Sequence, residues 1–428
     1  MFSTLYTLRS VANALIQPTY LVILVILGII FYKQNVKTTL MQKMIVGKRL
    51  NSPLELTISQ IVIGIFGAVV ASLLLTYLGI VFHEDSMIDL IFLISILFVF
   101  INPRFICFSY SGAALGLISI FLNQLSIMLN TPSLDFLKID PVALMSLVAI
   151  IHFVEGIMVM LDGTRGAIPV FTNKGGKISG GFALKRYWIL PISLLFIIQN
   201  SSTAMMSKAL NVQNWLHILE PTLPINLAAN IMLGALTFYG VIGYESITFT
   251  KTKEKKVFSS GISIIIYSIA LFSMAQLARL NIVFKILLLI FAPLGHEAMI
   301  FIQKYFEVKN QCIYVSNEEG IRVLEVAPGS PAYEMGIKSG DLLLDINDKK
   351  INSEKDILEA VNNASTYILL KAKKITGEFK ELKYSNFISN KGLGVVLVPK
   401  DIPKSESVIR VENRDFKDIL EKHKKNKK

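Results

Sequence analysis

The residues whose types and spacing first suggest chemistry are His296 and Glu297, in the apolar stretch LGHEAMIF. A His followed by Glu on an apolar helix is the first half of the pattern HExxH, in which two His one turn apart hold zinc and the Glu acts as general base. The fifth position here is Ile300, which has no lone pair to offer a metal. His296 alone supplies a single ligand, short of what a catalytic zinc site requires. His83, His217 and His423 are expected in an outer turn, an outer loop and the tail, where they cannot complete the set. His152 and Glu155 lie three residues apart on one face of an apolar segment. Ionisable groups inside a membrane are functional candidates by default. The alternatives are an interhelical hydrogen-bonded pair, or a Glu155 that reaches a headgroup or a loop arginine. Cys107 and Cys312 fall in different regions and suggest neither a disulfide framework nor a cysteine metal site. The run GGKISGG at 175–181 lacks the phosphate-loop pattern GxxxxGK[ST], since Ile178 follows Lys177 and no strand leads in. It is expected to be a flexible basic loop facing headgroups or a protein partner. No Ser-His-Asp or Ser-Lys set stands out. On residue types alone there is no catalytic residue, no metal ligand set and no cofactor.

The elements that must carry these residues follow from composition. Hydrophobic residues make up 53% and charged residues only 17% of the 428, against about a quarter charged in soluble domains. The apolar excess ends near residue 306, so the chain is expected to be an integral membrane protein with a polar C-terminal part. No small-residue cleavage site follows the first apolar run. The net charge of +12 sits in loops and the tail, which fits anionic lipid and not nucleic acid. Expected spans, each near the ~20 apolar residues a bilayer needs, lie at 15–32, 58–82, 87–101, 105–129, 141–161, 187–200, 225–249 and 258–278. A ninth at 282–302 is interrupted by Lys285, Pro293 and His296-Glu297. Pro293 and Gly295 are expected to break this run, leaving His296 and Glu297 near the interface. Pro103 in INPR predicts a tight turn. Basic loops at 33–57, 162–186 and 250–257 alternate with loops poor in Lys and Arg, which places the basic ones in the cytoplasm, the N-terminus outside and, with nine crossings, the C-terminus inside.

From Gln311 the pattern changes to short strands. CIYVS and IRVLEVA are rich in β-branched residues. Ser330-Pro331 opens a short helix that Gly336 stops. Gly340-Asp341 turns into LLLDI, and Asn347-Asp348 turns out of it. SEKDILEAVNNA reads as an amphipathic helix capped by Ser353, with Ile357, Leu358 and Val361 on one face. TYILLKAKK is a further strand. The order GSPAxxxG, GDxLLxIN and helix over about 90 residues, 311–400, resembles a PDZ domain. Such domains take up an extended peptide as an added strand, holding its carboxylate on a glycine-containing loop. KGLGVVLVP at 391–399 has the form of that loop, placed after the rest of the domain as in permuted bacterial versions. The resemblance implies Gly392, Leu393 and Gly394 as carboxylate cradle and Val395 as the start of the docking strand, with Ile357, Leu358 and Val361 as groove wall. Equally, this segment can be simply the closing strand, its groove unused.

The fold expected is therefore a polytopic α-helical membrane domain of about eight or nine spans over 1–306, a small α+β PDZ domain over 307–400, and a basic, partly helical tail over 401–428. Membrane proteases of the site-2 type share this combination but take a third ligand from an LDG motif after HExxH. Here LDG stands at 161–163, before His296. The order of a polytopic region, one C-terminal PDZ domain and no protease motif resembles the MinJ-type cell division topology proteins, as do INPR and the VEG…DG entry to the glycine-rich loop. That resemblance implies a non-catalytic scaffold at the septum or poles, bridging a DivIVA-like protein and MinD. The alternatives are a degenerate or inactive site-2-type metalloprotease relative and, third, a transporter.

Overall fold

The computed structural model describes residues 2–83, 86–134, 136–174, 176–198, 232–363, 367–385 and 392–400. The loop expected at 201–224 with His217, the first residues of the span expected at 225–249, and the basic tail with His423 lie outside them.

Among the described residues, six helices are long and apolar enough to cross a membrane: α2 (Pro18–Val46), α3 (Pro53–Tyr77), α5 (Phe108–Leu129), α6 (Pro141–Asp162), α7 (Lys253–Leu277) and α8 (Ile282–Lys309). A shorter helix, α1 (Phe2–Ile16), precedes them. On α2, Leu21, Val22, Val25, Ile26 and Ile29 are exposed, as expected where the solvent is lipid. α6 is the central helix, with 78% of its most apolar window buried. It meets α7 where Gly156 faces the Gly261 carbonyl and Gly261 faces the Gly156 carbonyl. Absent side chains let the two backbones touch, the usual device of membrane helix pairs.

Several expectations need correction. The segment at 87–101 forms α4 (Leu90–Ile101), only 12 residues and too short to span. Asn102 then accepts from the Arg104 N–H, a single 3-10 turn runs over Pro103–Ile106, and α5 begins after Cys107. Cys107 touches His152, in the middle of α6, while Ser119 further along α5 bonds the carbonyls of Leu137 and Ile139, just before α6 begins. The α4–α5 pair is therefore re-entrant, with its turn level with the middle of α6 and only partly buried.

The segments at 187–200 and 225–249 are not helices where they are described. They lie in β3 (Lys177–Ile198) and β4 (Met232–Thr248), a long antiparallel pair from Phe182↔Thr248 to Ile198↔Met232. Glycines at 234, 240 and 243 and the run of aromatic and β-branched residues disfavour a helix. Pro191 is accommodated because its missing N–H falls on the side of β3 away from β4. Two residues on, the Ser193 N–H points to that side and donates to Ser72 Oγ of α3. Gly64, Ala68 and Ser72 lie on one face of α3 and admit β3 closely, with Gly64 against the Ile189 backbone. β1 (Val81–His83) and β2 (Ile168–Lys174) also pair with β3.

Residues 176–181 of GGKISGG belong to a hairpin and not to a flexible loop. Gly176, at φ +80, makes the turn from β2, and β3 starts at Lys177. Finally, α8 runs unbroken through Pro293 and Gly295. The ring removes the donor that the Leu289 carbonyl would otherwise receive; the neighbouring helix braces the same stretch, the Tyr267 hydroxyl donating to the Ala292 carbonyl at 2.7 Å and its ring packing over Gly295.

The C-terminal sheet runs β10 (Phe379–Ser385), β9 (Tyr367–Lys373), β7 (Leu342–Ile346), β6 (Ile321–Val326), β11 (Val395–Leu397), with β8 (Lys349–Lys350) paired to β7. Two helices, α9 (Pro331–Glu334) and α10 (Glu354–Asn362), pack with it. This domain is docked on the membrane helices and strands. β5 (Tyr314–Val315) pairs with β3 at Ser179 and Gly180. Leu324, Ala327, Val396 and Val398 belong to the same buried cluster as the membrane domain, while Val323, Val326 and Leu397 face the domain's own core. The Lys253 ammonium bonds Glu325 at 2.6 Å.

The docked end is also the basic end. There Gln42 bonds the Ala167 carbonyl, Arg186 reaches Ser59, and Glu307 accepts the N–H groups of Phe249 and Thr250. The loops at 33–57, 162–186 and 250–257 therefore share one face with the C-terminal domain. Lys285 and Asp140 pair at the other end.

Candidate functional site

Within the membrane domain, three helices deliver potential ligands to one point. Cys107 is the N-cap of α5, placed there by the re-entrant turn. His152 projects from the middle of α6 and is 2% exposed. His296 comes from α8, just past Pro293. One ligand atom from each lies within 4.8 Å of the others. Cys107 Sγ and His152 Nε2 are 3.0 Å apart, and the two imidazole rings are 5.7 Å apart at 73°. Among the described residues no other such group of three is found.

Each ring is oriented by a further hydrogen bond. His152 Nδ1 lies 2.7 Å from the Val148 carbonyl, which only an N–H can satisfy, so Nε2 carries the lone pair. His296 Nδ1 lies 3.1 Å from the Tyr110 oxygen. Tyr110 donates its own proton to Glu297 Oε1, so its oxygen accepts from His296 Nδ1–H, and Nε2 of that ring is again left bare. Arg104 fixes Glu297 by donating to Oε2 at 2.8 Å. Ser109 Oγ stands 3.3 Å from His152 Nε2 and 2.8 Å from the Tyr267 hydroxyl. A Glu155 carboxylate oxygen is 4.0 Å from His152 Nε2.

The expectation that His296 has no partners is thus overturned. His296 is partly buried against Tyr110, while the Glu297 side chain is 42% exposed. Neither ligand partner comes from HExxH spacing. They arrive from 144 and 189 residues away on other helices, a separation no local motif spans. Cys107 was passed over for the same reason. Of the open readings for His152 and Glu155, the pair faces this cluster and not a headgroup. Asp162 of LDG is elsewhere, at the basic end. It accepts from Arg186 Nε at 2.9 Å, from Arg186 Nη2 and from Trp188 Nε1 at 2.9 Å, all buried. It balances a buried cation and takes no part in the cluster.

The second candidate is the edge of the C-terminal sheet. β11 is its terminal strand. Gly394 has φ +77, and a Cβ there would overlap Ser330, so this position requires glycine. The carbonyls of Leu393 and Gly394 accept from the N–H groups of Ala332 and Ala327, which staples the loop to the start of α9. Gly392 lies in open space. Leu393, Ile357 and Val361 are buried in one cluster, with Val395 packed against it. Leu358 does not share their buried face and is 55% exposed, being about 100° around the helix from Ile357.

Residues 322–371 match the family model for a PDZ domain. Over 85 residues, or 20% of this chain, the sequence is 28% identical to the probable cell division topological determinant MinJ of Lacticaseibacillus paracasei, and equally to that of Lacticaseibacillus casei. The chain resembles the MinJ type over that stretch, which spans 23% of the length of those relatives. It is also 37% identical over 62 residues to the serine endoprotease DegS of Haemophilus influenzae, covering 14% of this chain and 18% of that protein. With the serine protease HTRA1 of Xenopus tropicalis it is 34% identical over 68 residues, 16% of this chain and 15% of that one. Both protease matches are at the level of the PDZ domain and carry no catalytic residues across. No solved structure matches.

Proposed function

We propose that this protein is a non-catalytic membrane scaffold whose PDZ domain recruits protein partners on the cytoplasmic side, in placing the site of division. The observation that carries the reading is the docking of the PDZ domain on the face that also bears the basic loops. By the Lys/Arg bias of short loops that face is the cytoplasmic one. There the edge strand β11 and the Gly392-Leu393-Gly394 loop are the elements onto which a peptide strand would add, its carboxylate held by the loop. Val395 lies at the strand's start, and Ile357 and Val361 stiffen the facing helix from beneath. The bridge between a DivIVA-like and a MinD-like protein extends this reading by the resemblance to the MinJ type, and the basic tail at 401–428 would add contact with anionic lipid.

Fluorescent division proteins imaged in cells lacking residues 311–400 test the proposal. Their displacement from septum and poles is the expected result. Normal placement, or a reporter after Lys428 found outside the cell, would sink the cytoplasmic bridge.

A further inference from the structure

We propose that Cys107, His152 and His296 form a zinc site inside the membrane domain. The geometry points to it in three ways. First, a thiol sulfur and two imidazole nitrogens from α5, α6 and α8 converge within 4.8 Å. Tetrahedral zinc, with ~2.3 Å bonds to sulfur and ~2.0–2.1 Å bonds to nitrogen, needs its ligand atoms ~3.3–3.6 Å apart, so shifts of about an ångström seat three of its four ligands. Second, His152 turns a bare Nε2 to Cys107 because its Nδ1–H is engaged by Val148, and Tyr110 engages Nδ1–H of His296 and so leaves that ring's Nε2 bare. Such outer partners fix tautomer and ring orientation in metal sites, and the Glu297–Tyr110–His296 chain is a carboxylate relay of that kind. Third, the charges balance. A divalent ion and one thiolate leave a single positive charge in a low-dielectric interior, and the Glu155 carboxylate stands 4.0 Å from His152 Nε2 to offset it.

A set of one thiolate and two imidazoles suits zinc or copper, and a carboxylate beside it, a hard oxygen donor in place of the axial thioether of copper sites, favours zinc. The site holds together the re-entrant turn, the central helix and α8, whose far end leads through residues 310–313 to β5 of the PDZ domain. It is a structural clip and stands independently of the scaffold proposal.

The test uses the full chain, purified in detergent through a histidine-free tag. Elemental analysis is expected to find zinc at about one equivalent, with chelation lowering the thermal midpoint and zinc restoring it. Exchange into cobalt should give the visible bands of a tetrahedral ion and a thiolate-to-cobalt charge-transfer band. Cys107→Ser should abolish that band and Cys312→Ser should keep it. His152→Gln and His296→Gln should each reduce zinc at least ~10-fold, and Tyr110→Phe, outside the donor set, should weaken affinity ~10-fold or more. The wild-type cobalt spectrum reports the thiolate even if a variant fails to fold. A metal-free wild-type chain that takes up neither zinc nor cobalt would overturn the site, leaving a thiol–imidazole hydrogen bond. So would stoichiometric copper in place of zinc, or zinc retained without the charge-transfer band.

Discussion

Asp162 and Arg186 are 2% and 1% exposed in their side chains, and their value lies in mutual compensation. Removing one leaves the other charged and buried. Asp162→Asn is therefore expected to destabilise the membrane domain by about 3–5 kcal/mol, whereas replacing both residues by apolar ones of similar volume should cost far less. Thermal unfolding of the single and double variants in detergent measures the difference. Equal losses would mean the pair is not coupled. The same logic separates Asp162 from the cluster at Cys107: Asp162→Asn should leave the metal content of folded protein unchanged. His152 and Glu155 were legible as candidates because an ionisable pair in an apolar segment is costly unless used. Their partner Cys107 was not, since a lone cysteine has no local pattern to mark it.

At the scale of the element, α10 shows how a short helix is held. The Asp356 carboxylate accepts the N–H groups of Asn352 and Ser353, each at 2.8 Å. These two bonds hold its carboxyl below the usual carboxylate range. Because the folded-state value is depressed, the contribution is complete above the unfolded value and disappears as pH falls through the folded one. Amide exchange in α10 of the full chain should thus keep its protection from neutral pH down to about pH 4 and lose it in more acid solution. Asp356→Ala should weaken protection at neutral pH and remove this acid step. A step that survives the substitution would assign it to another group. The period of α10 was readable from sequence, but Leu358 was placed on the wrong face. Adjacent apolar residues in this helix of 9 residues lie about 100° apart, and only the facing sheet decides which of them it covers. The strands β3 and β4 were missed for a related reason. A long apolar run satisfies both a spanning helix and a strand buried on both faces, and periodicity cannot separate the two. The glycines at 234, 240 and 243 and Pro191 were the available signal.

For the whole molecule, the consequential feature is that the PDZ domain is mounted and not merely tethered. Gly180 of β3 lies against Leu324 and Val398, and Tyr314 packs edge-on to Phe182. Leu324→Ala removes a fully buried side chain from that seam, at a cost of about 2–5 kcal/mol. Gly180→Val should open the same seam by collision. In both variants, limited proteolysis of the detergent-solubilised chain is expected to cut faster within 310–320 while the membrane helices stay protected. Unchanged cleavage would mean that the seam does not restrain the domain. A fixed mount also gives the scaffold reading its mechanical content, since a partner strand added at β11 is then held at a set distance from the membrane.

The sequence by itself determined the membrane class, the PDZ domain, the basic loops that share one face and the absence of HExxH. Each is written in composition, short-range spacing or local turn chemistry. Tertiary structure decided the rest. It turned two expected spans into a strand pair, because only packing against α3 distinguishes a buried strand from a spanning helix. It made α4 re-entrant, carried Asp162 to a cation at the basic end, and brought Cys107 and His296 to His152. Contacts between residues 45 to 189 positions apart depend on how helices cross, and no periodicity along the chain records that.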